Sequence, residues 1–172
     1  MEKRLIVDMD GVLADVYEQF IRYELEETGR KISLGETLGL SESEAFLNGR
    51  KHVRLKGFFR NAPVIPSAVE VLERLNQKYE VFIVSSATEF PNSLEEKYYW
   101  MEEHFPFVSW QQLVFCGSKA IVKGDFMIDD HFKNLDRFEG KTFLFTQPHN
   151  VGHSERSHHR VNSWIDIAGI LL

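Results

Sequence analysis

The stretch Leu5-Ile6-Val7-Asp8-Met9-Asp10-Gly11-Val12-Leu13 decides how the chain is read. Three consecutive apolar residues suit a short strand buried on both faces of a sheet. Two carboxylates one residue apart follow, and then glycine, which lets a backbone turn sharply. In parallel α/β sheets ligands gather beyond the carboxyl ends of the strands. An apolar strand that stops on Asp8 and Asp10 therefore suggests both an architecture and a candidate site. The same carboxylates could instead cap backbone amides in a polar turn, and the rest of the chain has to choose between the readings.

Working outward, short apolar segments at residues 81–85, 113–115, 126–128 and 142–145 join 5–7 as expected strands. They alternate with segments of helical period, the pattern of an α/β domain with a mostly parallel sheet. A helix is expected over 94–104, with Ser93 and Glu96 spaced as a capping box. A second such box, Ser67 with Glu70, should open a helix ending near Leu75, whose Ala68, Val71, Leu72 and Leu75 form one apolar face. Residues 164–172 read as a short closing helix. Residues 16–62 are long for a βα connection and contain helical pieces joined by Gly29, Gly35, Gly39 and Gly49. They read as an insertion over the mouth of the sheet, with Asp15 capping its first helix. Residues 149–159 are polar and read as a mobile loop.

Composition narrows the classes of function. The 172 residues are 43% apolar, enough for one domain with a sizeable core. No apolar run reaches the ~18 residues of a membrane-spanning helix. Residues 1–4 lead straight into the first strand, so no leader is expected. Cys116 is the only cysteine, which rules out an internal disulfide, suits a reducing cytoplasm, and fits a packing role at a strand end. The net charge is −6 and no basic run occurs, so a nucleic-acid polymer is not the expected partner. A small anion remains compatible, because a few local cations and a metal can reverse the field in one pocket.

Two further strand ends and one lysine choose between the two readings of Asp8 and Asp10. Phe126-Met127-Ile128 runs into Asp129-Asp130, a second carboxylate pair at the same sheet edge. Two such pairs repel unless a cation lies among them, and oxygen donors without a cysteine or histidine cluster suit magnesium. Val81-Phe82-Ile83-Val84 ends in Ser85-Ser86, whose hydroxyls and amides can hold anionic oxygens. Lys119, just before the fourth strand, can place an ammonium among the carboxylates. Each piece alone is ordinary; in this order they describe a metal-assisted phosphate site. The histidines at 149, 153, 158 and 159 show no metal-site spacing and read as a solvated loop. Asp125 is expected simply to precede its strand.

Asp8-x-Asp10-Gly11-Val12, Ser85 after a strand, Lys119, and Asp129-Asp130 closing a strand resemble the four motifs of the haloacid dehalogenase superfamily. The resemblance spans nearly the whole chain. It narrows to the 5′(3′)-deoxyribonucleotidases through the run Asp8 to Asp15, Gly57-Phe58-Phe59 ahead of Pro63, Lys97-Tyr98-Tyr99-Trp100, Leu144-Phe145-Thr146 with His149-Asn150, and Ser163-Trp164. The implied class is α/β, a Rossmann-like parallel five-stranded sheet (residues 1–15 and 63–172) with a small helical cap (16–62) inserted after the first strand.

The resemblance also implies roles. Asp8 would be the nucleophile, passing through an aspartyl-phosphate, and Asp10 the general acid and base. Halide leaves without a proton but an alkoxide does not, so Asp10 favours ester hydrolysis over dehalogenation. Magnesium would be held by Asp8, the Asp10 carbonyl and Asp129, with Asp130 behind it orienting Lys119 or a metal-bound water. Ser85, Ser86, Lys97 and Lys119 would hold the phosphate. Val16, Phe46, Phe58 and Phe59 are the candidates for the substrate pocket. Val16 stands where the family pattern has phenylalanine, Ala87 where it has proline and His131 where it has arginine, so the nucleotide stays open. The expected partner is a nucleotide or other small phosphomonoester, not a membrane; a homodimer is compatible with the sequence. The competing readings are a sugar-phosphate phosphatase of the same superfamily and a phosphate-binding module without catalysis.

Overall fold

The computed structural model describes residues 2–172. Its first strand, β1 (Arg4–Val7), is followed by α1 (Val16–Thr28), α2 (Glu42–Ala45), α3 (Gly49–His52) and α4 (Ala68–Asn76). Then come β2 (Glu80–Ser85), α5 (Pro91–His104), β3 (Leu113–Phe115), β4 (Phe126–Asp129), α6 (Phe132–Leu135), β5 (Lys141–Phe145), β6 (His159–Val161) and α7 (Trp164–Leu171). The strands form one parallel sheet in the order β3-β2-β1-β4-β5-β6. Among the described residues the sheet therefore has six strands, where the sequence suggested five. The sixth, His-Arg-Val, has one apolar residue in three at a sheet edge and carries too little apolar signal to stand out.

The pleat explains why the inner strands are apolar throughout. Leu5, Val7, Val81, Ile83, Ile128, Phe143 and Phe145 join one core with α4, α5 and α7. Their neighbours Ile6, Val84, Met127 and Leu144 join a second core on the opposite face, which includes Leu135 of α6. Inner residues of the strands meet a packed layer on both faces, so a polar side chain there needs a buried partner, as Thr142 has in His158.

Both predicted capping boxes fail. Ser67 has φ of +63° and its side chain makes no capping bond. Ser93 lies inside α5, which begins two residues earlier at Pro91, and its hydroxyl donates to the Ala87 carbonyl. Proline at the first helical position, whose missing N–H costs nothing there, sets that start instead. Asp15 does cap α1, accepting from the Glu18 amide at 3.0 Å.

The two ends of segment 16–62 lie side by side. Asp15 N–H donates to the Pro63 carbonyl and Ile65 N–H to the Leu13 carbonyl, both at 2.8 Å. Between them Val16, Tyr17, Phe20, Phe46, Val53, Phe58 and Phe59 build a separate apolar cluster above the sheet.

Candidate active site

Register brings the polar strand ends together. Val7 pairs with Ile83 of β2 and Ile128 of β4, so Asp8 and Asp129 emerge at one level and Ser85 one residue further on. The strand order reverses at β1, where neighbouring connections leave in opposite directions and open a crevice. The loop after β1 is tight. The Met9 carbonyl accepts from Val12, Leu13 and Ala14, and Trp164 Nε1 donates to the Val12 carbonyl at 2.7 Å. Gly11 turns it with φ of +72°, and a Cβ there would lie 2.3 Å from Asp130 Oδ2.

Lys119 is the central cation. Its Nζ lies 2.6 Å from Asp8 Oδ1 and 2.7 Å from Asp129 Oδ2, with all three side chains buried. Asn134 Nδ2 donates to both Asp129 oxygens at 3.0 Å, and the His131 amide donates to Oδ1 at 2.9 Å. Lys97 forms a second cationic contact, donating to Asp10 Oδ2 at 2.5 Å and to Ser85 Oγ at 2.9 Å. Ser86 lines the same cavity.

Carboxylate oxygens of Asp8, Asp129 and Asp130 lie within 4.8 Å of one another. Burial pushes Asp8 up to about 8; Asp129 adds to this, Lys119 opposes it, and Asp130 and Asp10 raise it further. Burial also holds Asp130 well above the usual carboxylate range, helped by Asp129 and Glu42. Burial acts on Asp129 in the same sense, but Lys119 and the Asn134 bonds outweigh it and bring its carboxyl below the usual value. Lys119 is pulled down by burial and held above its ordinary value by Asp129 and Asp8. One ammonium among three carboxylates leaves a shortage of positive charge. Asp130 Oδ1 and Asp10 Oδ1 are buried without a hydrogen-bond partner among the described residues. An all-oxygen set with unpaired buried lone pairs fits a hard divalent cation such as magnesium.

The cavity over these groups measures about 140 Å³. Its floor is Asp8, Asp10, Ser85, Ser86, Lys97 and Lys119, and Val16, Phe58 and Phe59 form part of its wall. Phe46 does not reach it; its ring stacks on Phe20 at 4.9 Å inside the cluster. Sequence reasoning missed Phe20, Val53, Phe90 and Glu42, which also line it. An apolar residue that faces a cavity cannot be told by pattern from one that faces a core.

The two ends of segment 149–159 are built into the structure, while residues 152–157 between them are exposed. His149 accepts from or donates to Tyr17 Oη at 3.2 Å through Nδ1, and its Nε2 lies 2.9 Å from the Asp130 carbonyl. Burial lowers its imidazole to about 4, with His131 adding to the effect. His158 is buried between Thr142 and Asp136. His149, His131 and Glu42 converge from three segments. Both nitrogens of His149 already have partners outside the group, and its ring stacks on that of His131 at 4.3 Å. Asp125 accepts from the Arg4 amide at 2.7 Å and serves the strand pairing.

A parallel sheet with carboxylates at the ends of β1 and β4 and a lysine between them defines a haloacid dehalogenase-like hydrolase fold. Solved structures agree. A haloacid dehalogenase-like family protein from Streptococcus pneumoniae superposes with a TM-score of 0.64 at 14% identity, covering 99% of each chain. A hydrolase of this type from Bacillus subtilis, solved bound to magnesium, gives 0.63 at 13% identity over 99% of this chain and 98% of that one. The sequence is more particular. The chain belongs to the 5′ nucleotidase, deoxy (pyrimidine), cytosolic type C protein family, whose profile it matches over residues 2–172. It is 36% identical over 175 residues to the 5′(3′)-deoxyribonucleotidase of Bacillus subtilis (strain 168), covering 100% of both chains.

Proposed function

We propose that this chain is a magnesium-dependent phosphatase of deoxyribonucleoside monophosphates, acting through an aspartyl-phosphate on Asp8. The observation that carries this reading is the convergence of Asp8, Asp129 and Asp130 on Lys119, beside Asp10 held by Lys97. Family membership supports the substrate class, and so does the named activity of the B. subtilis relative.

Asp8 attacks phosphorus with a carboxylate oxygen, and the ester oxygen leaves. Lys119 sets the direction of that carboxylate and offsets its charge against the approaching dianion. Asp10 gives its proton to the leaving alkoxide; it then takes one from the water that cleaves the acyl-phosphate. Lys97 touches both Asp10 and Ser85, so the two donors lie beside the carboxylates where phosphate oxygens would need them. Ser86 adds a third donor. Magnesium, held by Asp8, the Asp10 carbonyl and Asp129 with Asp130 behind them, would supply positive charge against the phosphoryl oxygens. Segments 1–15 and 63–172 would form the catalytic body and 16–62 its cap, whose Val16, Phe58 and Phe59 face the nucleoside. Phe46 supports that wall from behind.

The test is a substrate panel of deoxyribonucleotides, ribonucleotides and sugar phosphates with added magnesium. A preference for deoxyribonucleotides is expected; a preference for sugar phosphates overturns the substrate assignment. In parallel, D8N should lose at least ~10³-fold in kcat, as removal of other nucleophiles does. Turnover by D8N at the wild-type rate would sink the mechanism.

A further inference from the structure

Helix α5 has two working faces. Lys97 points to the phosphate floor, while Glu96, Trp100 and Glu103, spaced by four and three residues, lie along another side of the helix. All three grip the returning limb of the insertion. Trp100 Nε1 donates to the Ala62 carbonyl at 2.7 Å, and Glu103 pairs with the Arg60 guanidinium. Glu96 makes the densest contact. Its Oε1 accepts from the Gly57 amide at 2.8 Å, and its Oε2 from the amides of Phe59 and Arg60 at 3.0 and 3.1 Å. The carboxylate is buried.

Three amides can face one carboxylate only because the chain turns tightly there. Gly57 has φ of +91°, and a Cβ would lie 2.7 Å from Asn61 Nδ2. The next residues supply the cavity wall. Phe58 is fixed from the other side by Gln19, which donates to its carbonyl. The Phe59 ring lies 4.6 Å from Lys97 Nζ. One residue of α5 therefore holds the turn that places Phe59, and the next residue carries the ammonium that Phe59 covers.

We propose that Glu96 is a positioning residue for substrate binding, fixing the Gly57–Arg60 turn so that Phe58 and Phe59 stand over the phosphate site. This rests on the phosphatase reading above. Glu96 touches neither phosphate nor metal, so its removal should affect recognition of the part of the substrate beyond the phosphate. Gln at 96 keeps one acceptor oxygen and turns an NH₂ group toward backbone donors; Ala keeps none.

The experiment compares wild type, E96Q and E96A by KM for a deoxyribonucleoside monophosphate and by competitive inhibition with inorganic phosphate, which needs only the floor. KM is expected to rise about tenfold in E96A and less in E96Q, with the phosphate inhibition constant within about twofold of wild type. Equal changes in both constants, or no change in KM, overturn the proposal. Amide exchange at 57, 59 and 60 is read on the same proteins and should accelerate in E96Q. Unchanged exchange there also overturns it. Should E96A fail to fold, E96Q carries the kinetic comparison and is expected to raise KM with the phosphate constant within about twofold of wild type. If wild type turns over other phosphomonoesters and not nucleotides, the substrate assignment fails, while the exchange result still judges the clamp.

Discussion

Gly11 shows how much one position can constrain a site. Its φ of +72° is costly for any other residue, and a Cβ would collide with the carboxylate of Asp130. G11A is therefore expected to lower the unfolding free energy by about 1–3 kcal/mol, the usual cost of a forced backbone conformation. The collision should also displace Asp130 and weaken stabilisation by magnesium, and urea denaturation with and without the metal measures both. The glycine after the carboxylates was legible in the sequence as a turn. Its contact with Asp130, 119 positions away, was not, because the contact exists only once β1 and β4 are paired.

Among elements, the helices show where local rules succeed and fail. Asp15 precedes α1 and caps it as its residue type suggests. D15A should cost about 1 kcal/mol in thermal or chemical unfolding. Because Val16 and Phe20 line the cavity just beyond that cap, D15A should also raise nucleotide KM more than it lowers kcat. Glu96 has capping-box spacing from Ser93, yet α5 starts earlier and the carboxylate is taken by three amides of a distant turn. Three bonds to a remote segment outweigh the one or two a local cap offers. Strand β6 escaped for the opposite reason: three residues at an edge carry little pattern, and pairing with β5 alone makes them a strand.

For the whole molecule, the main electrostatic fact is the buried acidic group at the sheet edge. Asp8 is raised to about 8 and Asp130 is raised as well, so the fold favours their protonated forms. Such groups stabilise the folded state below their unfolded pKa, near 4, and lose that contribution as pH rises through the folded value. With chelator present, Tm should therefore fall as pH rises from about 5 to about 8 and level off above that. Magnesium should flatten the slope by neutralising the same carboxylates. A chelated protein whose Tm is flat over that range would contradict the assigned charge imbalance.

The sequence by itself determined the class of fold and the chemistry on offer. Consecutive apolar residues are required where both faces of a parallel sheet are covered, and a strand that must stop can do so on functional residues. Asp8, Asp10, Ser85, Asp129 and Asp130 were legible for that reason, and Lys119 through its place just before β4. The tertiary structure decided how those groups are shared: Lys119 between Asp8 and Asp129, Lys97 between Asp10 and Ser85, and Asp130 left with an unpaired oxygen. It also decided which aromatic residues face the cavity, separating Phe58 and Phe59 from Phe46. Hydrophobic periodicity reports that a side chain leaves water. Whether it leaves water for a core or for a cavity wall depends on contacts between segments far apart in the chain.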